Sequence, residues 1–142
     1  MIYFETDGIQ KLVGPLFNAS KYHSNLNYNN YFRIEIKPYL LRGRFHLWLN
    51  EWNNPRALVT YANINDEILA SITLDHKVSL SNADFDTGKN LYINDLFAPF
   101  DGSAIITELR ENIFPDRVGH FVRRNPDTTI KRVSKIYGVR HQ

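Results

Sequence analysis

Asn90 to Asn112 reads NLYINDLFAPFDGSAIITELREN and predicts a strand that runs through a loop into a helix. The aromatic and branched side chains of Tyr92 to Phe97 favour the strand, which should end before Pro99 because proline cannot donate to a sheet ladder. Asp101-Gly102-Ser103 then supplies N-cap chemistry. Apolar residues at helical spacing follow it, namely Ile105, Ile106, Leu109 and Ile113. Such a turn points backbone N–H groups beyond the strand, where they could cradle a phosphate or a thioester.

One acid interrupts this apolar strand. Asp95 stands where a buried strand would normally carry an apolar side chain, because an uncompensated charge is costly to bury. Asp95 therefore needs either a partner or a chemical role.

Hydrophobic patterns on both sides of this stretch predict a sheet combined with helices. The expected elements are, in order, a helix over Asp7 to Asn18, strands over Phe32 to Ile36, Phe45 to Leu49 and Ala57 to Tyr61, a helix capped by Asn65, the central strand and helix, and a hairpin of Val118 to Arg124 with Ile130 to Tyr137. The strand at Phe32 rests on alternation of apolar and charged residues, and Pro38 should end it. This order predicts an α+β fold with a central, mostly antiparallel sheet flanked by helices.

Length and composition indicate a single domain over residues 1–142, large enough to bury a core. No apolar run is long enough to span a bilayer, and the first ten residues have no signal-peptide character, so we expect a cytoplasmic protein without stable membrane insertion. The absence of cysteine excludes disulfides, a thiol nucleophile and thiolate zinc sites.

The charge is unevenly distributed along the chain. Ser103 to Gln142 contains eight basic and four acidic residues, whereas the whole chain has a net charge of +2. This excess can steer an acidic partner, such as nucleic acid, anionic lipid or an acidic carrier protein, or it can simply be a solvated surface.

Several segments match the pattern of one enzyme family. Asp95-Leu96-Phe97-Ala98-Pro99-Phe100 resembles the D-W-I-A-P-F signature of the toxin-activating lysine acyltransferases, which fatty-acylate RTX haemolysins. Ala19-Ser20-Lys21-Tyr22-His23 is similar to the family segment that ends in the catalytic histidine, and Tyr61-Ala62-Asn63 is similar to its W-A-N. Further matches in order and spacing are Phe114-Pro115-Asp116, Arg123, Asn125-Pro126, Val133-Ser134 and Gly138. The resemblance spans nearly the whole chain.

The resemblance implies a GCN5-related acyltransferase-like fold and a specific reaction. Family members take a fatty acyl group from acyl carrier protein and transfer it to the ε-amine of internal lysines of a protoxin. No bound cofactor is implied, since the acyl-loaded carrier is a co-substrate, and a homodimer would fit the family. The essential histidine and aspartate of the family correspond to His23 and Asp95. The Q/R-x-x-G-x-G/A loop of coenzyme A enzymes is absent, and Phe97 to Gly102 takes its place.

The same pair can be justified from chemistry. A lysine amine has an unperturbed pKa of about 10.4 and is protonated at neutral pH, so it cannot attack a thioester until a base removes a proton. Imidazole suits this role, and a carboxylate bonded to its far nitrogen fixes the tautomer. We therefore expect His23 to be the base and Asp95 to orient it, with an oxyanion held by backbone N–H groups at the end of the central strand.

Two routes remain open at this stage. Either lysine attacks the donor directly, which we favour, or a transient acyl-enzyme forms on His23 or on the accessory hydroxyl of Ser20. The candidate donor-binding residues are Gly102 and Ser103, near the pantetheine phosphate, and a basic set consisting of Arg123, Arg124, Lys131 and Arg132. Strand alternation should put Arg123 and Arg124 on opposite faces.

Departures from the pattern leave other interpretations open. The chain ends four residues after Gly138, where haemolysin activators continue, and Leu96-Phe97 replaces the family's W-I. The target could therefore be another secreted toxin, such as a contact-dependent inhibition toxin. A non-catalytic, toxin-binding chaperone or immunity protein is an alternative, and a nucleic-acid module would use Tyr31 and Phe32 for stacking. No metal site is expected, since the remaining histidines lack ligand spacing: His46, His76, His120 and His141.

Overall fold

The computed structural model describes residues 6–21, 23, 26–74, 77, 79–125 and 127–141, and the structural statements below refer to these residues. Tyr22, His76 and Pro126 lie outside them. Four helices and five strands occupy the described residues, which confirms the α+β class. None of the described helices has the length and apolar character needed to cross a membrane.

Two of the helices contain a wider, π-helical turn. The helices are α1 at Thr6–Ala19, α2 built from Tyr28–Tyr31, the π turn Phe32–Ile36 and Lys37–Leu41, α3 at Asp66–Leu74, and α4 at Gly102–Glu108 with the π turn Leu109–Ile113. The cap expected at Asn65 and the end expected before Phe114-Pro115 are present. Asn65 Oδ1 accepts the Ile68 N–H at 2.8 Å at the start of α3, and the π turn of α4 ends immediately before Phe114-Pro115.

The strands form one sheet in the order β1-β2-β3-β4-β5. They are β1 at Phe45–Leu49, β2 at Pro55–Ile64, β3 at Asn90–Phe97, β4 at Val118–Arg124 and β5 at Ile130–Tyr137. Both expected hairpins are antiparallel, whereas β3 and β4 are parallel neighbours, which the intervening helix α4 makes possible. The sheet is mixed and mostly antiparallel, and the finer likeness to GCN5-related enzymes stays a prediction.

The strand predicted over Phe32 to Ile36 is wrong, because these residues form the π turn of α2. Phe32 and Ile36 are buried but Ile34 is 53% exposed, so the buried positions recur every four residues and not every two. Pro38 does not end the element either. The Lys37 N–H bonds to the Phe32 carbonyl, and the wider turn starts a new α segment in which Pro38 occupies the first turn, where its missing N–H is tolerated.

The chain divides into two compact units, and the single-domain expectation stays a prediction. The first unit comprises residues 1–60 and 95–105, and the second comprises 61–94 and 106–142. An apolar core in the first unit joins α1, α2, the hairpin strands and the end of β3. Its buried members are Ile9, Val13, Leu16, Phe17, Phe32, Ile36, Leu40, Leu58 and Phe97.

In the second unit, several residues of the family pattern hold backbone segments together. Arg117 donates to Asn63 Oδ1 at 2.6 Å and to the Lys89 carbonyl at 3.1 Å. Gly138 packs so tightly that an added Cβ would lie 2.3 Å from the carbonyl oxygens of Phe114 and Pro115. The matches at these positions are therefore explained by packing of the fold.

Candidate active site

The connection between α1 and α2 carries His23 into the core of the first unit. The Ser20 N–H bonds to the Leu16 carbonyl at 3.1 Å, the His23 N–H bonds to the Ser20 carbonyl at 3.2 Å, and the Leu26 N–H bonds to the His23 carbonyl at 2.9 Å. These successive turns hold the histidine against the end of α1. His23 is only 1% exposed, although the surrounding sequence is polar.

His23 meets the acid of β3, as the resemblance implied. Its Nε2 lies 2.9 Å from both Oδ1 and Oδ2 of Asp95, and the aspartate is 3% exposed. Alternation along β3 places Asp95 and Phe97 on the same, buried face. His23 is therefore the hydrogen-bond partner that a carboxylate buried in an apolar strand requires.

The other ring nitrogen of His23 faces Ser20. The distance from Ser20 Oγ to His23 Nδ1 is 2.6 Å. A carboxylate can only accept hydrogen bonds, so the proton of a neutral ring lies on Nε2 and Nδ1 is left as the acceptor. The Ser20 hydroxyl therefore donates to Nδ1, and the basic lone pair of His23 points at this hydroxyl.

Two further donors hold the Asp95 carboxylate. The Tyr31 hydroxyl donates to Oδ2, and the Leu96 N–H donates to Oδ1 at 2.9 Å. Together with His23 Nε2–H, three donors converge on the lone pairs of one carboxyl group.

Aromatic rings surround the imidazole. The Phe97 ring stacks on His23 with 4.1 Å between centroids, Tyr31 presents an edge at 5.5 Å, and Phe17 lies at 5.8 Å. Such an environment excludes water and strengthens the hydrogen bonds within it. The arrangement can take a proton from a group that reaches Ser20 and can hold the resulting imidazolium against Asp95.

Tyr31 and Phe97 are site residues that the sequence reasoning did not assign to catalysis. Tyr31 entered only as a stacking residue of a nucleic-acid module, and Phe97 only as part of a family signature. If a helix had been predicted over residues 28–41, Tyr31 would have been placed next to the buried Phe32. The alternation of apolar and charged residues predicted a strand instead, so Tyr31 was not assigned to the site.

The expected donor-binding residues fall into both units. Gly102 and Ser103 are exposed at the start of α4 in the first unit, where the preceding Asp101 carboxylate pairs with the Arg56 guanidinium. The four basic residues belong to β4 and β5 in the second unit.

The basic residues differ in their surroundings. Arg123 and Arg132 are direct cross-strand partners, so their side chains share one face, and Lys131 lies at the following register shift. Arg124 instead donates to three backbone carbonyls, those of Thr128 at 2.7 Å, Ile72 at 2.9 Å and Lys77 at 2.8 Å. Arg124 thus fastens the end of β4 to the end of α3.

Among the residues that the structure describes, no three histidine or acidic side chains cluster as ligands, and the expectation of no metal site stays a prediction.

The chain is similar to known proteins over most of its length. The family described as RTX toxin acyltransferases matches residues 13–137. An uncharacterized protein of Synechocystis is 28% identical over 128 residues, which cover 89% of this chain and 84% of the relative.

Two relatives carry enzyme names. The RTX-I toxin-activating lysine-acyltransferase ApxIC of Actinobacillus pleuropneumoniae is 32% identical over 85 residues, 59% of this chain and 48% of the relative. The protein-lysine myristoyltransferase HlyC of Escherichia coli is 27% identical over 126 residues, 89% of this chain and 71% of the relative.

Proposed function

Because the chain belongs to the RTX toxin acyltransferase family, we propose that it transfers a fatty acyl group from an acyl carrier protein to internal lysines of a protein toxin. The observation that carries this proposal is the buried chain of hydrogen bonds from Ser20 through His23 to Asp95. Such a chain supplies the base that the family reaction needs.

His23 acts through Nδ1. Because Nε2 is bonded to Asp95, the lone pair available for a proton is the one that faces Ser20 Oγ at 2.6 Å. His23 is almost fully buried whereas Ser20 is partly exposed, so a substrate amine passes its proton to Nδ1 through the Ser20 hydroxyl. Asp95 then stabilises the imidazolium that forms.

Direct transfer completes the reaction in one addition and one elimination. The lysine ammonium first loses one proton, which passes through Ser20 and His23 to solvent, and the neutral nitrogen then bonds to the thioester carbonyl carbon. A second proton passes from this nitrogen through Ser20 to His23, and collapse of the tetrahedral intermediate breaks the carbon–sulfur bond. The proton held by His23 goes to the departing thiolate. The carrier protein leaves with a free phosphopantetheine thiol, and the lysine carries an amide.

The competing route uses Ser20 as a nucleophile, since its hydroxyl already lies on a histidine paired with an aspartate. Intact-protein mass spectrometry after incubation with myristoyl-loaded acyl carrier protein alone distinguishes the two. We expect an unmodified mass, and a stoichiometric acyl adduct on Ser20 or His23 would establish the acyl-enzyme instead.

Co-expression with an RTX protoxin, followed by peptide mass spectrometry, tests the function itself. The wild type should add a fatty acyl mass to specific lysines. His23→Gln and Asp95→Asn, which preserve approximate shape, should reduce the modification at least about 10²-fold because the base or its orientation is lost. His141→Ala removes an exposed histidine and is the matched control, which should behave as the wild type.

The possible outcomes separate the alternatives. Equal modification by the wild type, His23→Gln and Asp95→Asn would remove this pair from the mechanism. Stable binding of the protoxin with no acylation would favour the non-catalytic chaperone or immunity function.

Several finer expectations accompany the proposal and stay predictions. They are the GCN5-related fold, the cytoplasmic location, the homodimer, and the absence of a bound cofactor and of nucleic-acid binding. The names of the two enzyme relatives refer to an RTX toxin and to lysine myristoylation, so an RTX protoxin is the first target to test, before a contact-dependent inhibition toxin.

A further inference from the structure

Tyr31 links α2 to the site carboxylate. Its hydroxyl donates to Asp95 Oδ2, and its ring presents an edge to the His23 imidazole. The residue ends the first α-helical segment of α2, immediately before the π turn Phe32–Ile36. Such turns often accompany functional sites because they re-aim side chains.

We propose that Tyr31 is a positioning residue that keeps Asp95 aligned with His23 during acyl transfer, an inference that rests on the proposed function. Asp95 is held at both oxygens, by the Leu96 N–H at Oδ1 and by Tyr31 at Oδ2. With both oxygens held, the carboxylate plane cannot turn, and His23 Nε2 stays 2.9 Å from each oxygen.

The effect on catalysis depends on which ring nitrogen of His23 carries the proton. A fixed Asp95 keeps the proton on Nε2 and therefore keeps the lone pair of Nδ1 directed at Ser20. Without the Tyr31 hydroxyl, Oδ2 keeps only the contact that it shares with His23 Nε2, and the carboxylate rotates more easily about its terminal bond, which is a broad torsion. The tautomer with its proton on Nδ1 then becomes accessible, and that form cannot accept a proton from Ser20.

The chain contains a matched control one helical turn earlier. Tyr28 belongs to the same helix and packs at a tilt against the same Phe17 ring, with centroids 4.9 Å apart against 5.7 Å for Tyr31. Its hydroxyl donates to the Gln10 carbonyl of α1 and not to the site. Tyr28→Phe and Tyr31→Phe therefore delete the same atom from the same core, and only the second deletion touches Asp95.

Kinetics with myristoyl-loaded acyl carrier protein and an RTX protoxin give the first measurement. Tyr31→Phe should lower kcat about tenfold or more, as expected for a lost hydrogen bond to a charged group, while KM for the carrier protein stays unchanged. Tyr28→Phe should leave both constants unchanged. Both variants should lower Tm, and Tyr31→Phe should lower it more, since its hydrogen bond goes to a carboxylate and that of Tyr28 goes to a neutral carbonyl.

Nitrogen NMR of the ligand-free protein, labelled with ¹⁵N-histidine, gives a second measurement that does not depend on activity. The His23 ring of the wild type and of Tyr28→Phe should show a protonated Nε2 and an acceptor Nδ1. The ring of Tyr31→Phe should show a mixture of both tautomers.

The two measurements keep the inference and the proposed function apart. Wild-type tautomer and wild-type kcat in Tyr31→Phe would overturn the inference and leave the function standing. A lower kcat with an unchanged tautomer would also overturn it, because Tyr31 would then act on the substrate and not through Asp95. If the wild type transfers no acyl group, the function fails, and the tautomer comparison still decides whether Tyr31 aligns the pair.

Discussion

Asp95 shows how a single buried charge is accommodated. A carboxylate in an apolar strand is unfavourable unless its lone pairs are used, and here His23, Tyr31 and Leu96 supply the donors. Removing the carboxylate would leave these donors without their acceptor, at a cost of about 1–3 kcal/mol for each buried group. Asp95→Asn is for this reason a more informative variant than Asp95→Ala, because it preserves an acceptor oxygen.

We expect His120 to make the stability of the protein depend on pH. Burial, followed by the positive charge of Lys135 directly opposite on β5, lowers the pKa of His120 below 6.5. Further positive or protonatable groups line the same cavity of about 250 Å³: Lys89, Arg117 and His141, together with Asp116, which pairs with Arg140.

Because its pKa is lower in the folded than in the unfolded chain, the unfolded state binds a proton more readily. Stability should therefore fall as the pH drops through about 6.5. His120→Asn should reduce this loss, measured as the change in Tm between pH of about 7.5 and about 5.5. An identical pH dependence in wild type and variant would show that other groups control it.

The two central site residues differ in how visible they were in the sequence. Asp95 was conspicuous, since an acid inside an apolar strand requires a partner. His23 was not, because its loop is polar and asparagine-rich, and only the family pattern singled it out. Tyr31 could not be found without its correct secondary structure.

At the level of elements, α2 shows why alternation alone does not separate a strand from a helix. Phe32 and Ile36 are spaced by four and are compatible with either period, so the decision rests on the residue between them. Ile34 favoured the strand as an apolar side chain, yet it is exposed. In a helix Ile34 lies on the face opposite Phe32 and Ile36, and the preference for a helix here depends on tertiary contacts that no local pattern contains.

A pair of substitutions tests this helix. Ile34→Glu should change the unfolding free energy by no more than about 0.5 kcal/mol, because the side chain is mostly exposed. Ile36→Glu, which buries a charge at a position with 0% exposure, should cost more than about 3 kcal/mol. Urea unfolding measures both. Similar costs at the two positions would be expected of a strand and would contradict the helix.

The connections around the sheet were more predictable than α2. Glycine, proline and asparagine marked most turns and caps correctly, including Asn65 before α3 and Phe114-Pro115 after α4. The parallel pairing of β3 with β4 joins residues far apart in sequence, so no local pattern predicts it. It follows from the β3-α4-β4 order, because a helical crossover lets the two strands run parallel.

For the whole molecule, several basic residues of the last third of the chain lie on one strand. Lys131, Arg132 and Lys135 belong to β5, the last strand in the sheet order. Charged side chains on such an edge oppose sheet extension by another chain. Arg123 and Arg132 face each other across β4 and β5 despite their like charges, an arrangement that an acidic carrier protein would relieve.

Charge reversal tests that interpretation. The double variant Arg123→Glu and Arg132→Glu should weaken binding of acyl carrier protein about tenfold or more at low salt, and the difference should shrink as salt is added. The control reverses two exposed lysines of the first unit, Lys11 and Lys37, and changes the net charge equally. Calorimetric titration measures both. Equal weakening by the two double variants would mean that only total charge matters.

The aromatic rings around His23 also affect how much donor thioester would be lost to hydrolysis. A thioester can be lost to hydrolysis as well as consumed by aminolysis, and a base in contact with bulk water would activate water continuously. With His23 at 1% exposure beneath Phe97, water has little access to the imidazole, so in the proposed reaction the donor thioester would be protected from hydrolysis until the acceptor lysine arrives. The burial of His23 should therefore favour amide formation over hydrolysis of the donor thioester.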